Sequence, residues 1–286
     1  AVATMLVEPS AAWAAPCVGG ATQVVAHQDD DLLFQNPDVL HDAAAGACLQ
    51  TIYVTAGDSG HGLSYARERA IGPEAAYATM LGVPNSWTTS DAGVPGESIV
   101  RRTLATKPNV SIVSLYLPDG AVIGSGFSAT GYASLEKLLT GQIGRISAID
   151  GSASYTRDEL VTVIASLAAQ QGATQIRALN YGGGWDDGDH SDHHASAYLT
   201  FDANQVLTTG RRITGYTGYQ TQDKAANVSG ADLTAKRAAF NAYAVHDEWK
   251  TGSEWSNWGA RQYVDDTTQY ADTSGLRVNA GPDRTE

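Results

Sequence analysis

The chain has 286 residues with 18 lysines and arginines against 31 aspartates and glutamates, and its 43% of hydrophobic residues is typical of a globular protein with a sizeable core. The net charge of -13 argues against nucleic acid and against an anionic membrane surface as partners, because both attract cationic proteins. No run approaches the roughly 20 apolar residues that a membrane span needs.

Residues 1–20 are rich in alanine and lack clear periodicity, so we interpret them as an N-terminal arm. Cys17 lies in this arm and Cys48 opens the second predicted strand, so the two could meet at one end of neighbouring strands. A disulfide there would stabilise the fold by about 2–4 kcal/mol and would require an oxidising compartment; two free thiols are the alternative. We expect a secreted protein whose signal peptide has been removed.

Short β-rich segments alternate with helical patterns along the rest of the chain. In the first half we predict strands at Thr22–Ala26, Leu49–Thr55 and Ile112–Leu117, and a helix at Ala66–Leu81. Gly72-Pro73 is expected to break or kink that helix, because proline removes a backbone donor and clashes with the preceding turn. The last of these strands stops at Pro118-Asp119-Gly120, a typical turn sequence.

The clearest helix begins at Thr156, where Thr156 and Glu159 form a capping box and Gly172 follows as the expected C-terminal glycine. The later elements are a strand at Ile176–Tyr181, a helix at His194–Val206, a strand at Arg212–Gln220 and a helix at Leu233–Trp249. Strands that alternate with helices predict an α/β fold with a mostly parallel sheet and helices on both faces. Since no internal repeat or convincing linker is visible, we expect residues 1–286 to form a single domain.

The strongest functional signal, His27-Gln28-Asp29-Asp30-Asp31, stands where the first predicted strand ends. Three consecutive carboxylates repel one another, and binding of a divalent cation is the most direct way to reduce this repulsion. The alternative is a polar turn with solvated carboxylates. The position favours the cation, because ligands bind at the carboxyl ends of strands in parallel α/β sheets.

The second signal, Asp189-His190-Ser191-Asp192-His193-His194, follows a predicted strand through a Gly-rich loop, so it can reach the same edge of the sheet. His27, Asp30 and one histidine of this segment form a two-His, one-carboxylate set, which leaves a coordination position open for water, as catalytic metal sites do. Zinc is the default metal, and iron or another transition metal accepts the same ligands. A remaining carboxylate could serve a hydrolase as general base.

Together the two segments resemble the paired motif of the LmbE / PIG-L family of zinc-dependent de-N-acetylases. Thr55-Ala56-Gly57 is similar to the family's turn after the second strand, Arg69 followed by Glu74 to its Arg/Glu helix, and Leu117-Pro118-Asp119-Gly120 to a further turn. The resemblance spans roughly residues 22–200 and implies a three-layer, Rossmann-like architecture.

The resemblance also implies roles for individual residues. The implied zinc ligands are His27, Asp30 and His193, and zinc-bound water would attack an acetamide carbonyl. Asp29 would be the general base, His190 would stabilise the oxyanion or protonate the leaving amine, and Asp192 would orient a histidine.

Three further residues are predicted to bind the substrate. Arg69 and Asp119 are expected to contact sugar hydroxyls, and Trp185, in the loop before the second motif, to stack on a sugar ring. Core packing is the alternative for Trp185 and the main interpretation of the tryptophans near the C-terminus, since aromatic residues dominate protein cores.

Two positions depart from the family pattern without replacing a ligand. Gln28 stands where the family usually has proline, and Asp31 where it usually has glutamate. His194 has no family role and is expected on the surface of its helix.

The leading hypothesis is a metal-dependent deacetylase acting on an N-acetylated amino sugar, oligosaccharide or glycoconjugate. A carbohydrate-binding protein with a non-catalytic metal site is one alternative. A metallohydrolase acting on an ester or a non-sugar amide is another, because the same open metal site serves those reactions.

Overall fold

The structure is a computed structural model that describes residues 19–207, 211–249 and 252–269. Cys17 and the rest of the predicted arm up to residue 18 lie outside these ranges, so the disulfide with Cys48 stays a prediction. Strands from both ends of the described chain join one sheet.

Ten strands are present in the described ranges, and eight of them form one mixed sheet. The strands are β1 Ala21–Val25, β2 Leu49–Thr55, β3 Trp87–Asp91, β4 Val100–Leu104, β5 Val110–Leu117, β6 Ile146–Ser147, β7 Ser154–Tyr155, β8 Gln175–Leu179, β9 Arg212–Tyr216 and β10 Val264–Gln269. The sheet order is β10-β9-β8-β1-β2-β5-β4-β3, and β6 and β7 form a separate pair. The five strands from β9 to β5 are parallel, whereas β3, β4 and β10 pair antiparallel at the edges.

Helices cover the sheet on both faces. They are α1 Asp30–Phe34, α2 Asp38–Ala44, α3 Leu63–Leu81, α4 Leu135–Leu139, α5 Arg157–Gln171, α6 Ser191–Val206, α7 Gly230–Ala244 and α8 Ser253–Trp258. In β2, Ile52 packs with α5 and α6 on one face, whereas Leu49 and Tyr53 pack with α2 and α3 on the other. Burial on both faces is typical of the central strands of a parallel sheet, and the predicted three-layer α/β fold is confirmed.

Two predictions about helices have clear outcomes. The capping box of Thr156 and Glu159 is confirmed, since each residue's side chain accepts from the other's backbone N–H. Of the predicted break or kink at Gly72-Pro73, the break is wrong, because α3 runs through Pro73. A Cβ at residue 72 would lie 2.4 Å from a ring carbon of Tyr243, so the glycine lets α7 pack closely on α3. This tertiary contact outweighs the local cost of the proline.

Other differences lie near the C-terminus. The predicted strand after Arg212 ends at Tyr216 and is followed by a 3-10 helix at Tyr219–Asp223. The last long helix ends at Ala244, before Trp249. No helix in the described ranges combines the length and apolar composition that crossing a bilayer would require.

The topology brings both motifs to the same place. Strand β1 lies between β2, the next strand in sequence, and β8, so the strand order reverses beside β1. Ligands in open α/β sheets bind outside the carboxyl ends of the strands at this switch point. The first motif follows β1 and the second follows β8, so the two motifs lie on the two sides of this switch point.

Candidate active site

The first motif folds back on itself directly after β1. Asp30 begins α1, and its Oδ2 accepts a hydrogen bond from the backbone N–H of His27 at 2.7 Å. The same oxygen lies 3.5 Å from His27 Nδ1. A local turn therefore places one imidazole and one carboxylate side by side, both buried.

The second motif supplies another imidazole from α6. His193 Nε2 lies 3.1 Å from Asp30 Oδ1. The ligand-type atoms of His27, Asp30 and His193 all lie within 4.8 Å of one another. The structure thus brings together the three side chains that the sequence predicts as ligands.

Asp189, which has no predicted role, orients His193. Its Oδ1 lies 2.8 Å from His193 Nδ1 and also accepts from the backbone N–H groups of His190 and Tyr219, at 2.9 Å and 3.0 Å. A Cβ at Gly218 would lie 2.0 Å from Asp189 Oδ2, so the carboxylate is tightly enclosed. A carboxylate that holds one ring nitrogen and leaves the other for an ion is typical of metal-binding histidines.

The electrostatics of this cluster also suit a cation. Although burial opposes it, Asp30 and Asp189 raise the pKa of His193 to about 10. Burial likewise opposes the change at His27, but Asp30 and Asp192 raise the pKa of this ring well above its ordinary value. Both shifts show that the buried carboxylates favour positive charge at these two rings, which a metal ion would supply in place of protons. Two imidazoles and a carboxylate fit zinc and related transition metals.

Asp29 stands beside this cluster and is held by an arginine. Its Oδ1 accepts from Arg69 Nη2 at 2.7 Å. Burial raises the pKa of Asp29, and Arg69 opposes this change. Arg69 also donates from Nη1 to the carbonyl of Gly57 and from Nε to Tyr243 Oη, both at 2.7 Å. All three nitrogens of the predicted sugar-binding arginine are thus engaged within the protein.

His190, the N-cap residue of α6, lies close to the carboxylates of Asp119 and Asp192. Its Nδ1 accepts from the backbone N–H of Asp192 at 3.2 Å, which assigns the ring proton to Nε2, 3.9 Å from Asp119 Oδ1. Burial, together with His27 and His193, holds the pKa of His190 well below its ordinary value, so the ring is neutral.

Asp192 and Asp119 complete this side of the site. Asp192 Oδ2 accepts from the backbone N–H of Gly120 at 2.8 Å and lies 3.4 Å from His27 Nε2, a position from which it can orient that ring. Asp119 is buried, and its Oδ1 accepts from the backbone N–H of Ala121 at 2.8 Å. These contacts fix both carboxylates without consuming the proton on His190.

The two departures from the family pattern have structural partners. Gln28 donates from Nε2 to the carbonyl of Thr55 at 2.9 Å, which ties the first motif to the end of β2. Asp31 accepts from Tyr53 at 3.0 Å and from Tyr77 at 2.7 Å. Through these hydrogen bonds, both side chains stabilise the first motif.

A cavity of ≈ 190 Å³ opens onto the site. Tyr219, Trp249 and Trp258 contribute aromatic surface to its walls. Trp249 lies parallel to His61 with ring centroids 4.1 Å apart, and Trp258 lies on Tyr219 at 4.6 Å. Both tryptophans line the cavity. Trp258 also packs against the core cluster that contains Phe34, as expected, whereas Trp249 is 56% exposed, so core packing does not explain it.

Trp185 and His194 differ from their predicted positions. Trp185 packs edge-on against Tyr198 with ring centroids 5.1 Å apart, and it is absent from the cavity lining in the described ranges. His194 is fully buried rather than on the helix surface, with Nε2 2.8 Å from Asp187 and Nδ1 3.3 Å from the carbonyl of Asn180. Both side chains secure the Gly-rich loop against α6.

The sequence model of the PIG-L family, described as GlcNAc-PI de-N-acetylase, matches residues 22–204, which include both motifs and the three predicted ligands. No curated protein matches the chain.

Three solved structures are similar over nearly the whole chain. GalB, the 4-carboxy-2-hydroxymuconate hydratase from Pseudomonas putida KT2440, is 11% identical with a TM-score of 0.42, over 92% of this chain and 99% of its own. A deacetylase triple mutant, Orf2*T, involved in the teicoplanin biosynthetic pathway is 13% identical with a TM-score of 0.46, over 91% and 100%. The zinc-inhibited form of teicoplanin deacetylase Orf2 is 14% identical with a TM-score of 0.42, over 90% and 99%.

Proposed function

Because the chain belongs to the PIG-L family of de-N-acetylases, we propose that it is a zinc-dependent hydrolase that removes the acetyl group from an N-acetylated amino sugar or glycoconjugate. One observation carries the proposal. Imidazoles and a carboxylate from the ends of β1 and β8 converge on one point, with Asp29 beside them in an open cavity. Such a set binds a catalytic metal and leaves a position open.

His27, Asp30 and His193 would hold the ion. When bound, zinc polarises a carbonyl oxygen and makes water a strong nucleophile at neutral pH. Asp189 would keep His193 in the tautomer that presents Nε2, and Asp192 would restrain His27 from its other nitrogen.

Asp29 would accept the proton of the attacking water. Arg69 binds Oδ1, so the second carboxylate oxygen is the one that takes up the proton. On the other side, the neutral His190 would donate a hydrogen bond from Nε2 to the developing oxyanion, with Asp119 Oδ1 3.9 Å from Nε2. The proton that Asp29 takes from water would then pass to the leaving nitrogen. A positioned acid or base of this kind contributes about 10²–10⁴-fold to a rate.

The cavity walls support a sugar as the substrate. Trp249 and Trp258 present aromatic surface, while Asp119 offers a hydrogen-bond acceptor deeper in the cavity. Sites for small molecules combine apolar and aromatic walls with a few fixed polar groups in this way.

Metal analysis and an acetate-release assay on N-acetylglucosamine oligomers and glycosides, beside non-sugar acetamides, test the proposal. We expect one equivalent of metal, loss of activity on chelation, recovery with zinc and preference for the sugars. Asp29→Asn should keep the metal but lower kcat by about 10²–10⁴-fold. Asp42→Asn is the matched control, because it alters another arginine-paired carboxylate, 2.6 Å from Arg177 and outside the cavity lining. Absence of acetate release from every substrate, or full activity of Asp29→Asn, would contradict it.

A further inference from the structure

A buried network reaches the site from beyond the segment that matches the family. Tyr243 lies in the last turn of α7 and Asp247 follows that helix, whereas the family match ends at residue 204. Tyr243 Oη donates to Asp247 Oδ2 at 2.7 Å and accepts from Arg69 Nε at 2.7 Å. Asp247 Oδ2 also lies 3.4 Å from Arg69 Nε. All three side chains are buried.

The guanidinium of Arg69 is fixed from three directions. Nε points to α7, Nη1 donates to the carbonyl of Gly57 after β2, and Nη2 donates to Asp29 at the start of α1. Gly57 has a φ of +53°, and a Cβ there would lie 2.6 Å from Arg69 Nη1, so only glycine allows this approach. Because the guanidinium is planar, fixing two nitrogens also determines where the third points.

The charges favour the same arrangement. Although burial alone lowers the pKa of Arg69, the surrounding Tyr243, Asp29 and Asp247 hold it above its ordinary value, so the side chain stays positive. A buried guanidinium is stable only when its charge and hydrogen bonds are balanced. Tyr65 contributes to this balance by donating to Asp247 Oδ1 at 2.5 Å.

We propose that Tyr243 and Asp247 are positioning residues of the deacetylase, which fix Arg69 and through it hold Asp29 where it accepts the proton of the attacking water. The two residues form a clamp that neither motif contains. The clamp acts on the orientation of the base and leaves the metal ligands untouched. This inference rests on the proposed function, because it assumes the role of Asp29 in that reaction.

The clamp predicts a specific kinetic signature. Tyr243→Phe removes the hydroxyl that joins Arg69 to Asp247 and releases the guanidinium on one side. A displacement of about 1 Å in a catalytic group lowers a rate by about 10²-fold, so we expect kcat to fall about 10- to 100-fold. KM should stay within about twofold and the metal content should not change, because the substrate walls and ligands remain.

The chain contains a closely matched control. Tyr216 Oη accepts from Arg177 Nε at 3.1 Å and donates to Asp38 Oδ2 at 2.5 Å, which is the same chemistry outside the cavity lining. Tyr216→Phe should therefore lower the stability by a similar amount while leaving kcat unchanged. If Tyr243→Phe fails to fold, Asp247→Asn tests the same network through kcat and the double-mutant cycle, whereas its KM is not part of the test because Asp247 lines the cavity.

A double-mutant cycle with Asp29→Asn completes the experiment. If the clamp acts through Asp29, Tyr243→Phe adds little to the loss already caused by Asp29→Asn. Equal kcat values for Tyr243→Phe and Tyr216→Phe, or full additivity in the cycle, would overturn the clamp while the deacetylase activity of the unmodified protein stands. An unmodified protein without acetate release would overturn the proposed function itself, and the clamp with it.

Discussion

Replacement of Asp189 by asparagine should weaken metal binding without removing a ligand. Asp189 Oδ1 holds His193 Nδ1 at 2.8 Å, and the opposite nitrogen of the ring faces Asp30 at 3.1 Å. An asparagine oxygen can still accept from the two backbone N–H groups, but the negative charge of the Asp189 carboxylate is lost. Losses of such carboxylate partners typically reduce metal affinity about 10- to 100-fold, equivalent to about 1.4–2.7 kcal/mol.

Because Asp189 is tightly enclosed, an asparagine at this position has little freedom to move and compensate for the lost charge. Gly218 approaches so closely that a Cβ there would lie 2.0 Å from Asp189 Oδ2, and an amide NH₂ in place of that oxygen has little room to turn. We therefore expect the loss of affinity to lie toward the upper end of the range. Competition with a chromophoric zinc chelator measures the Kd directly, independently of any substrate.

Asp187→Asn is the matched control in the same loop before α6. Asp187 Oδ1 lies 2.8 Å from Nε2 of His194, the histidine next to the predicted ligand. The substitution makes the same change to a neighbouring pair, so zinc affinity should remain that of the unmodified protein. The reasoning is refuted if Asp189→Asn binds zinc as tightly as the unmodified protein, or if Asp187→Asn weakens it equally.

Two other expectations concern the cavity and the protein interior. Trp249→Ala and Trp258→Ala should raise KM for N-acetylglucosamine oligomers with little change in kcat, since both line the cavity and neither is one of the three predicted ligands. Steady-state kinetics that show a kcat defect at constant KM would contradict this. Burial lowers the pKa of Lys236 to about 7, so the unfolded chain binds more protons above that pH and stability rises as the pH increases from 7 toward 10. Urea unfolding should show the unmodified protein gaining up to about 1.4 kcal/mol per pH unit over Lys236→Met in this window, and a gap independent of pH would oppose the expectation.

Local sequence patterns were enough to predict much of the fold. The capping box at Thr156 and Glu159 depends on hydrogen bonds within one turn, and it is found as predicted. Strand β2 spans the predicted residues Leu49–Thr55, since a run rich in β-branched and aromatic residues between turn residues favours a strand. The parallel order followed from alternating strands and helices, because such connections cross over the sheet.

The chemical core of the site was also accessible from the sequence. Both motifs stand directly after strands, and the carboxyl ends of parallel strands share one edge, so their convergence is a topological consequence. The tertiary structure was needed to identify Asp189 as the partner of His193. The only sequence signal for this role is an aspartate four residues before the ligand, which many surface turns share.

The sequence by itself determined which residue types stand at the ends of β1 and β8, and hence the site's donor set. Only the tertiary structure decided which side chains surround that set. In the structure, α3 continues through Pro73, His194 is buried, and Trp185 packs against Tyr198. Tyr243 and Asp247 contact Arg69. The physical reason is distance along the chain: capping and strand patterns depend on neighbours within a few residues, whereas the packing of α7 on α3 joins segments more than a hundred residues apart.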